Sequence, residues 1–221
     1  MCGSGTFLIE AALLATNTAP GLFRQFWPCQ QWPDFVPGAW ADAEEAARSS
    51  RRETDVQLWG NDVHAGALGL AARDAEAAGV RDVLRLHHGD AGGWRLPHAP
   101  ALVLTNPPWG QRLLGGDADS EADWWREGVE VGGQDRAGGG GGGDQEELAA
   151  VWKDLGSFLK SECGGAEAYV LSGNPYATRH MRLKAEQRQP VTIGGVDCRL
   201  LKYSIRGRVA QPSGQQQQQP Y

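Results

Sequence analysis

The run Ala101-Leu102-Val103-Leu104-Thr105 is apolar on both of its faces and stops abruptly at Asn106-Pro107-Pro108-Trp109. A strand with that pattern suits a sheet covered by helices on both sides, and two consecutive prolines end it because neither can donate to a ladder. The same arrangement recurs. Residues 56–60 alternate and stop at Asn61-Asp62, and an alanine-rich stretch over 65–78 then closes with Gly79. That reads as a strand followed by a helix with a glycine cap. Strands are also expected over 83–88, ahead of Gly89-Asp90, over 166–172 and over 198–205. Alternating strands and helices predict an α/β chain with a doubly wound, mostly parallel sheet.

The remaining segments fall between these units. Residues 7–15 are rich in Leu, Ile and Ala and predict a helix that starts at the Gly3-Ser4-Gly5-Thr6 turn. Residues 17–55 are broken by proline, tryptophan and polar residues and read as an insertion on the domain edge, with a short helix around 39–52. Residues 115–145 contain an unbroken glycine run, Gly138 to Gly143, and are expected to be a flexible insertion. Leu148, Val151, Trp152, Leu155, Phe158 and Leu159 fall on one helical face. A further helix is expected over 176–187, and the glutamine-rich tail over 207–221 is expected to be disordered. One domain therefore occupies 1–206.

Composition narrows the function. Four cysteines without a C-x-x-C pair and five histidines without ligand spacing predict neither a zinc site nor a disulfide framework. No apolar run approaches a membrane span, so a soluble protein of the cytosol or an organelle (plastid or mitochondrion) is expected. A net charge of −6 means that a nucleic acid would need help from another, more basic domain. Most of the nine tryptophans read as packing anchors, with base stacking as the alternative.

Four candidate sites follow predicted strands or precede a helix, where open α/β sheets bind ligands. In Cys2-Gly3-Ser4-Gly5-Thr6 the backbone can approach a ligand and the next helix offers free N–H groups, although a G-x-G pattern also suits a plain tight turn. Asp62 is placed to accept from ribose hydroxyls or to cap the following helix. Asp90 could take an adenine amino group or serve as a turn residue. Asn106-Pro107-Pro108-Trp109 is the sharpest signal. The Asn106 side-chain oxygen and the Pro107 carbonyl can each accept one N–H bond from an amine, Pro107 and Pro108 in series stiffen the loop, and Trp109 offers a face to a planar base; a rigid strand-ending turn with a buried Trp is the alternative.

Taken together these residues resemble the class I methyltransferases that act on exocyclic amines. Met1 to Thr6 with Ile9-Glu10-Ala11-Ala12, Ala19-Pro20-Gly21-Leu22, and Asn106-Pro107-Pro108-Trp109-Gly110-Gln111-Arg112-Leu113 are similar to the large-subunit ribosomal RNA guanine-N2-methyltransferases. Gly195-Val196-Asp197-Cys198 with Leu201-Lys202-Tyr203 looks like that family's closing strands. The resemblance implies a Rossmann-like class I methyltransferase fold. It implies S-adenosyl-L-methionine over Cys2 to Thr6, with Asp62, Asp90 and Asn106 completing its site, and catalysis at Asn106 to Trp109 without metal. It also implies an RNA substrate gripped by an upstream THUMP domain. The family carries Asp-Pro and a whole strand directly before Cys-Gly-Ser-Gly, so this chain, which starts at Met1, is expected to lack the first strand of the sheet. The family also has Tyr where Trp109 stands. A transfer RNA guanine-N2, adenine-N6 or protein glutamine methyltransferase would present a similar amine, and a truncated, non-catalytic remnant is the alternative from outside enzymology.

Overall fold

The computed structural model describes residues 1–110 and 142–207. The chain folds as two α/β halves, each around its own sheet. In the first, α1 (Thr6–Ala15), β1 (Leu58–Asp62), α3 (Ala65–Ala77) and β2 (Leu84–His88) enclose a small core of Ala12, Leu13, Ala75, Val80 and Leu84. The strands pair in parallel, with Leu58 opposite Leu84 and Asp62 opposite His88. The 17–55 segment leaves α1 and returns to β1, carrying α2 (Pro37–Ser49). Trp40 of α2 meets Trp27 edge-on at 5.9 Å, the packing role expected of these tryptophans.

The second half contains β3 (Leu102–Thr105), α4 (Gly142–Glu162), β4 (Glu167–Ser172), α5 (Pro175–Arg179), β5 (Gln187–Ile193) and β6 (Val196–Ser204). Its sheet runs β3-β4-β6-β5, and β6 alone opposes the direction of its neighbours. The apolar face read for α4 is real: Trp152, Leu155, Phe158 and Leu159 are buried in the main core with Val170, Leu201 and Tyr203. Trp94 joins the halves. Its ring stacks on His87 of β2 and, also at 5.5 Å, on Phe158 of α4.

Two elements depart from expectation. The helix expected over 176–187 ends at Arg179, and 187–193 forms the edge strand β5. The cause is Met181, which is fully buried. Its carbonyl accepts from Lys160 Nζ at 2.7 Å, its backbone lies against Gly156 of α4, and Arg182 follows at φ 51°. Such a φ cannot continue a right-handed helix. Pro190 is tolerated because β5 is an edge strand. β1 also runs two residues further than read, so Asn61 and Asp62 belong to the strand. Of the expected flexible insertion, 115–141 lies outside the described residues and 142–145 belongs to α4; the tail beyond Gly207 lies outside them as well.

Among the described residues β1 and β3 each have one strand neighbour, so each presents an open edge. Leu102 and Leu104 on β3 are 57% and 43% exposed. Among the described residues no helix is long and apolar enough to cross a membrane.

Gly156 generates a test. A Cβ there would lie 2.4 Å from the Met181 carbonyl oxygen, which is backbone and cannot swing aside. Gly156→Val is expected to destabilise the chain by about 3 kcal/mol in urea unfolding, the upper end of overpacking costs. An unchanged midpoint would mean that α4 and the Met181 turn do not pack this closely.

Candidate active site

The glycine loop and Asp62 form one unit. Gly3 (φ 56°) and Gly5 (φ 76°) both take left-handed conformations, and Gly5 is the N-cap of α1. A Cβ on Gly5 would come within 2.9 Å of the Ala71 side chain, so α3 packs directly on the loop. No side-chain cap bonds the start of α1, which leaves that end to backbone and ligand acceptors. Asp62 reaches across: Oδ2 accepts from Gly3 N–H at 2.9 Å and Oδ1 from His64 N–H at 2.9 Å. Burial alone would push its carboxyl up, and the His64 and Gly3 N–H groups with the nearby terminal ammonium outweigh that and hold it below its ordinary value. Oδ1 keeps a lone pair for a further donor, while Oδ2 also faces the Met1 ammonium at 3.5 Å. The Cys2 thiol is pushed up by burial, with the Asp62 charge reinforcing the shift, so it stays protonated at neutral pH.

Asn61, absent from the sequence-based candidates, joins this unit to the next. Its amide donates to the Gly89 carbonyl at 2.9 Å and meets His87 Nδ1 at 3.1 Å, holding the loop that carries Asp90. Asp90 itself is exposed, and its Oδ1 accepts from Gly92 N–H at 2.6 Å. That is the turn role weighed for it, and one oxygen stays available.

The Asn106-Pro107-Pro108-Trp109 loop leaves β3 and is held by the other half. Asn106 is exposed and Pro107 is fully buried. The fully buried Trp152 donates its indole N–H to the Pro108 carbonyl at 2.8 Å, and the Asn174 amide donates to the Trp109 carbonyl at 2.8 Å. Trp109 donates its own indole N–H to Leu171 O at 3.2 Å, and one face of its ring lies against Gly173, where a Cβ would approach to 2.7 Å. The ring is thus an anchor, with one face covered. Asn174 is doubly used: its Oδ1 also accepts from Tyr176 and Ala177 N–H, capping α5. Neither Trp152 nor Asn174 was singled out from the sequence as part of the site. A Ser-Gly-Asn-Pro stretch after a strand was the available signal, since Asn before Pro marks a helix start.

The structure therefore brings the glycine loop, Asp62 and the Asp90 loop together in one half. Asn106 to Trp109 sits on the other half, hydrogen-bonded to β4, α4 and the residue that caps α5.

The sequence pattern of the RMKL-like methyltransferase domain (UPF0020) matches residues 1–121, more than half of the chain. This chain belongs to that family. Among relatives of the RMKL-like domain, the ribosomal RNA large subunit methyltransferase K/L of Vibrio campbellii is 31% identical over 216 residues, covering 95% of this chain and 26% of that protein. A protein of Clostridium difficile 630 described as a candidate methylase superposes with a TM-score of 0.71 at 23% identity, over 97% of this chain and 48% of that one. SMU.472, described as a candidate methyltransferase and solved with SAH, superposes with a TM-score of 0.68 at 20% identity, over 96% of this chain and 48% of that one. These superpositions establish the Rossmann-like class I methyltransferase fold expected from the sequence. The chain spans about a quarter of the Vibrio protein and about half of each of those structures.

Two outcomes follow from this geometry. Asn174→Asp keeps the acceptor that caps α5 and loses the donor to Trp109. Exchange of the Trp109 and Gly110 amides is therefore expected to quicken while those of α5 stay as in the parent; equal protection at 109–110 would show that the bond does not hold the loop. For Asp62, a carboxyl held low in the fold contributes stability above about pH 3.9, its unfolded value, and that contribution fades as pH falls through the lower folded value. The stability gap between the parent and Asp62→Asn is thus expected to be full at pH 7 and to shrink below about pH 4. A pH-independent gap in urea unfolding would contradict the charge role.

Proposed function

We propose that this chain is the catalytic domain of an S-adenosyl-L-methionine-dependent RNA methyltransferase that modifies an exocyclic amine, guanine N2 in large-subunit ribosomal RNA. The carrying observation is the clamp on the Asn106-Pro107-Pro108-Trp109 loop. Trp152 and Asn174 occupy the Pro108 and Trp109 carbonyls, so the acceptors this reading gives to the amine are the Asn106 side-chain oxygen and the Pro107 carbonyl. An amine fixed by two acceptors has its lone pair oriented, and orientation of this kind is worth orders of magnitude in rate.

The cofactor fits the residues present. Gly3 and Gly5 form an open, side-chain-free approach to the start of α1, which suits the carboxylate end, and a Cβ on Gly3 would meet nothing within 4 Å. Asp62 stays ionised and keeps acceptor capacity at Oδ1 for a ribose hydroxyl, and Asp90 keeps one oxygen for the adenine amino group. S-adenosyl-L-methionine, when bound, supplies the electrophilic methyl group. The protein's part is to hold the amine in line and keep the loop stiff. Proton loss can follow alkylation, because the alkylated amine is strongly acidic, so no side-chain base is assigned.

The reading extends to what lies outside these residues. β1 and β3 each carry an open edge among the described residues, and Leu102 and Leu104 of β3 are exposed, which suits one more strand pairing there. We assign that strand, and a separate RNA-binding domain of the THUMP type, to a longer protein. The chain's acidity and its 26% share of the Vibrio relative both support that assignment.

The test is transfer of labelled methyl to deproteinised ribosomal RNA, followed by nucleoside analysis, beside calorimetric cofactor binding. N2-methylguanosine is expected as product. Asn106→Ala is expected to lower transfer by about 100-fold. A label in any other nucleoside would overturn the guanine assignment, and transfer unaffected by Asn106→Ala would overturn the role of the loop.

A further inference from the structure

The chain is acidic as a whole at −6, yet residues 175–206 carry seven Arg and Lys against two acids, a net of +5. This basic stretch begins beside the catalytic loop. Asn174, whose amide holds the Trp109 carbonyl at 2.8 Å, accepts at the same time from the Tyr176 and Ala177 N–H groups, so one side chain bridges the loop and the first turn of α5. β3 and β4 are parallel, and the loops following both therefore leave the sheet at the same end. Tyr176 stands there 59% exposed, and three residues along the same helical face the Arg179 guanidinium carbon lies 5.2 Å from its ring centroid. Trp109, by contrast, is tied to Leu171 and covered on one face by Gly173. It orders the loop, and its covered face is closed to a stacking base.

We propose that Tyr176 and Arg179 are the RNA contact at the mouth of the catalytic loop, a nucleobase beside the target stacking on Tyr176 and the adjoining phosphate taking Arg179. The proposal rests on the methyltransferase reading above and gives it a second anchor on the substrate strand. Stacking on an exposed aromatic is tolerant of base identity, and a guanidinium next to the ring adds both charge and planarity. Arg182 and Lys184, next in the chain, are exposed as well. An acidic domain would thus touch RNA where its own charge is locally reversed, in keeping with the short reach of electrostatics at physiological salt.

The experiment uses the full chain with a fluorescent single-stranded guanine-containing oligoribonucleotide, followed by anisotropy at several salt concentrations, with methyl transfer to deproteinised ribosomal RNA alongside. Tyr176→Ala is expected to weaken binding roughly ten-fold and Tyr176→Phe to stay close to the parent, because the stacking face is retained. Arg179→Ala is expected to reduce the slope of log affinity against log salt by about 0.7, one phosphate contact on a single strand. Calorimetric affinity for S-adenosyl-L-methionine should not move in any of the three. Parent-like RNA binding by both alanine variants overturns the contact, as does a parent chain that binds no RNA. A parent that binds RNA through Tyr176 yet transfers no methyl overturns the catalytic reading and leaves the contact standing. Transfer that persists unchanged in both alanine variants overturns the contact alone.

Discussion

The carboxamide of Asn174 makes three hydrogen bonds at once, one to the Trp109 carbonyl and two from the first turn of α5. A side-chain amide has one donor end and one acceptor end, and here each is spent on a different element. The Asn106 to Trp109 loop and α5 are consequently set by the same group. Ser172, fully buried at the end of β4, fixes Asn174 in turn, since its hydroxyl accepts from Asn174 N–H and donates to Asn174 O, both at 3.0 Å. With Trp152 holding Pro108 from α4, the Asn106 to Trp109 loop is supported from three elements of the larger core. A partly buried polar network of this kind loses the support of several elements when one member is changed.

The other half works by charge and backbone. Asp62 closes onto the glycine loop through Gly3, so the residue assigned to the ribose also shapes the loop assigned to the rest of the cofactor. Asn61, one residue earlier, ties the same strand end to the loop after β2. Sheet pairing does not bridge the halves among the described residues, and the His87, Trp94 and Phe158 stack does so through ring contacts. Ring stacking is worth only about 1 kcal/mol beyond area burial. The relative placement of the two loops is therefore more easily disturbed than either loop on its own, and a strand between β1 and β3 would add ladder hydrogen bonds across that boundary.

Much of this was legible beforehand. The alternation of strand and helix, the α4 face from Leu148 to Leu159 and the glycine ends of α1 and α3 all come from periodicity and from residues with special backbone freedom, which are local properties. Strand ends that carry Asp62 and the Asn106 loop were readable for the same reason. The end of α5 is not legible in this way: residues 176–187 have reasonable helix propensity, but Met181 is buried against Gly156 and Arg182 follows at φ 51°, which a right-handed helix cannot continue. The strand status of 187–193 was hidden by Pro190, harmless only because β5 turned out to be an edge.

By itself the sequence determined the family, the α/β class, the four candidate sites and the chemistry those residue types allow, because each depends on neighbours a few positions apart. Only the tertiary structure decided that Gly3 and Asp62, 59 positions apart, share a hydrogen bond, and that Trp152 and Asn174 clamp the Asn-Pro-Pro-Trp loop from 44 and 65 positions away. It also decided that one face of Trp109 is covered by Gly173 and that Tyr176 stands exposed beside Arg179. The physical reason is that such partners are chosen by how the strands pair and the helices pack, and these contacts join residues whose separation along the chain carries no periodic signal.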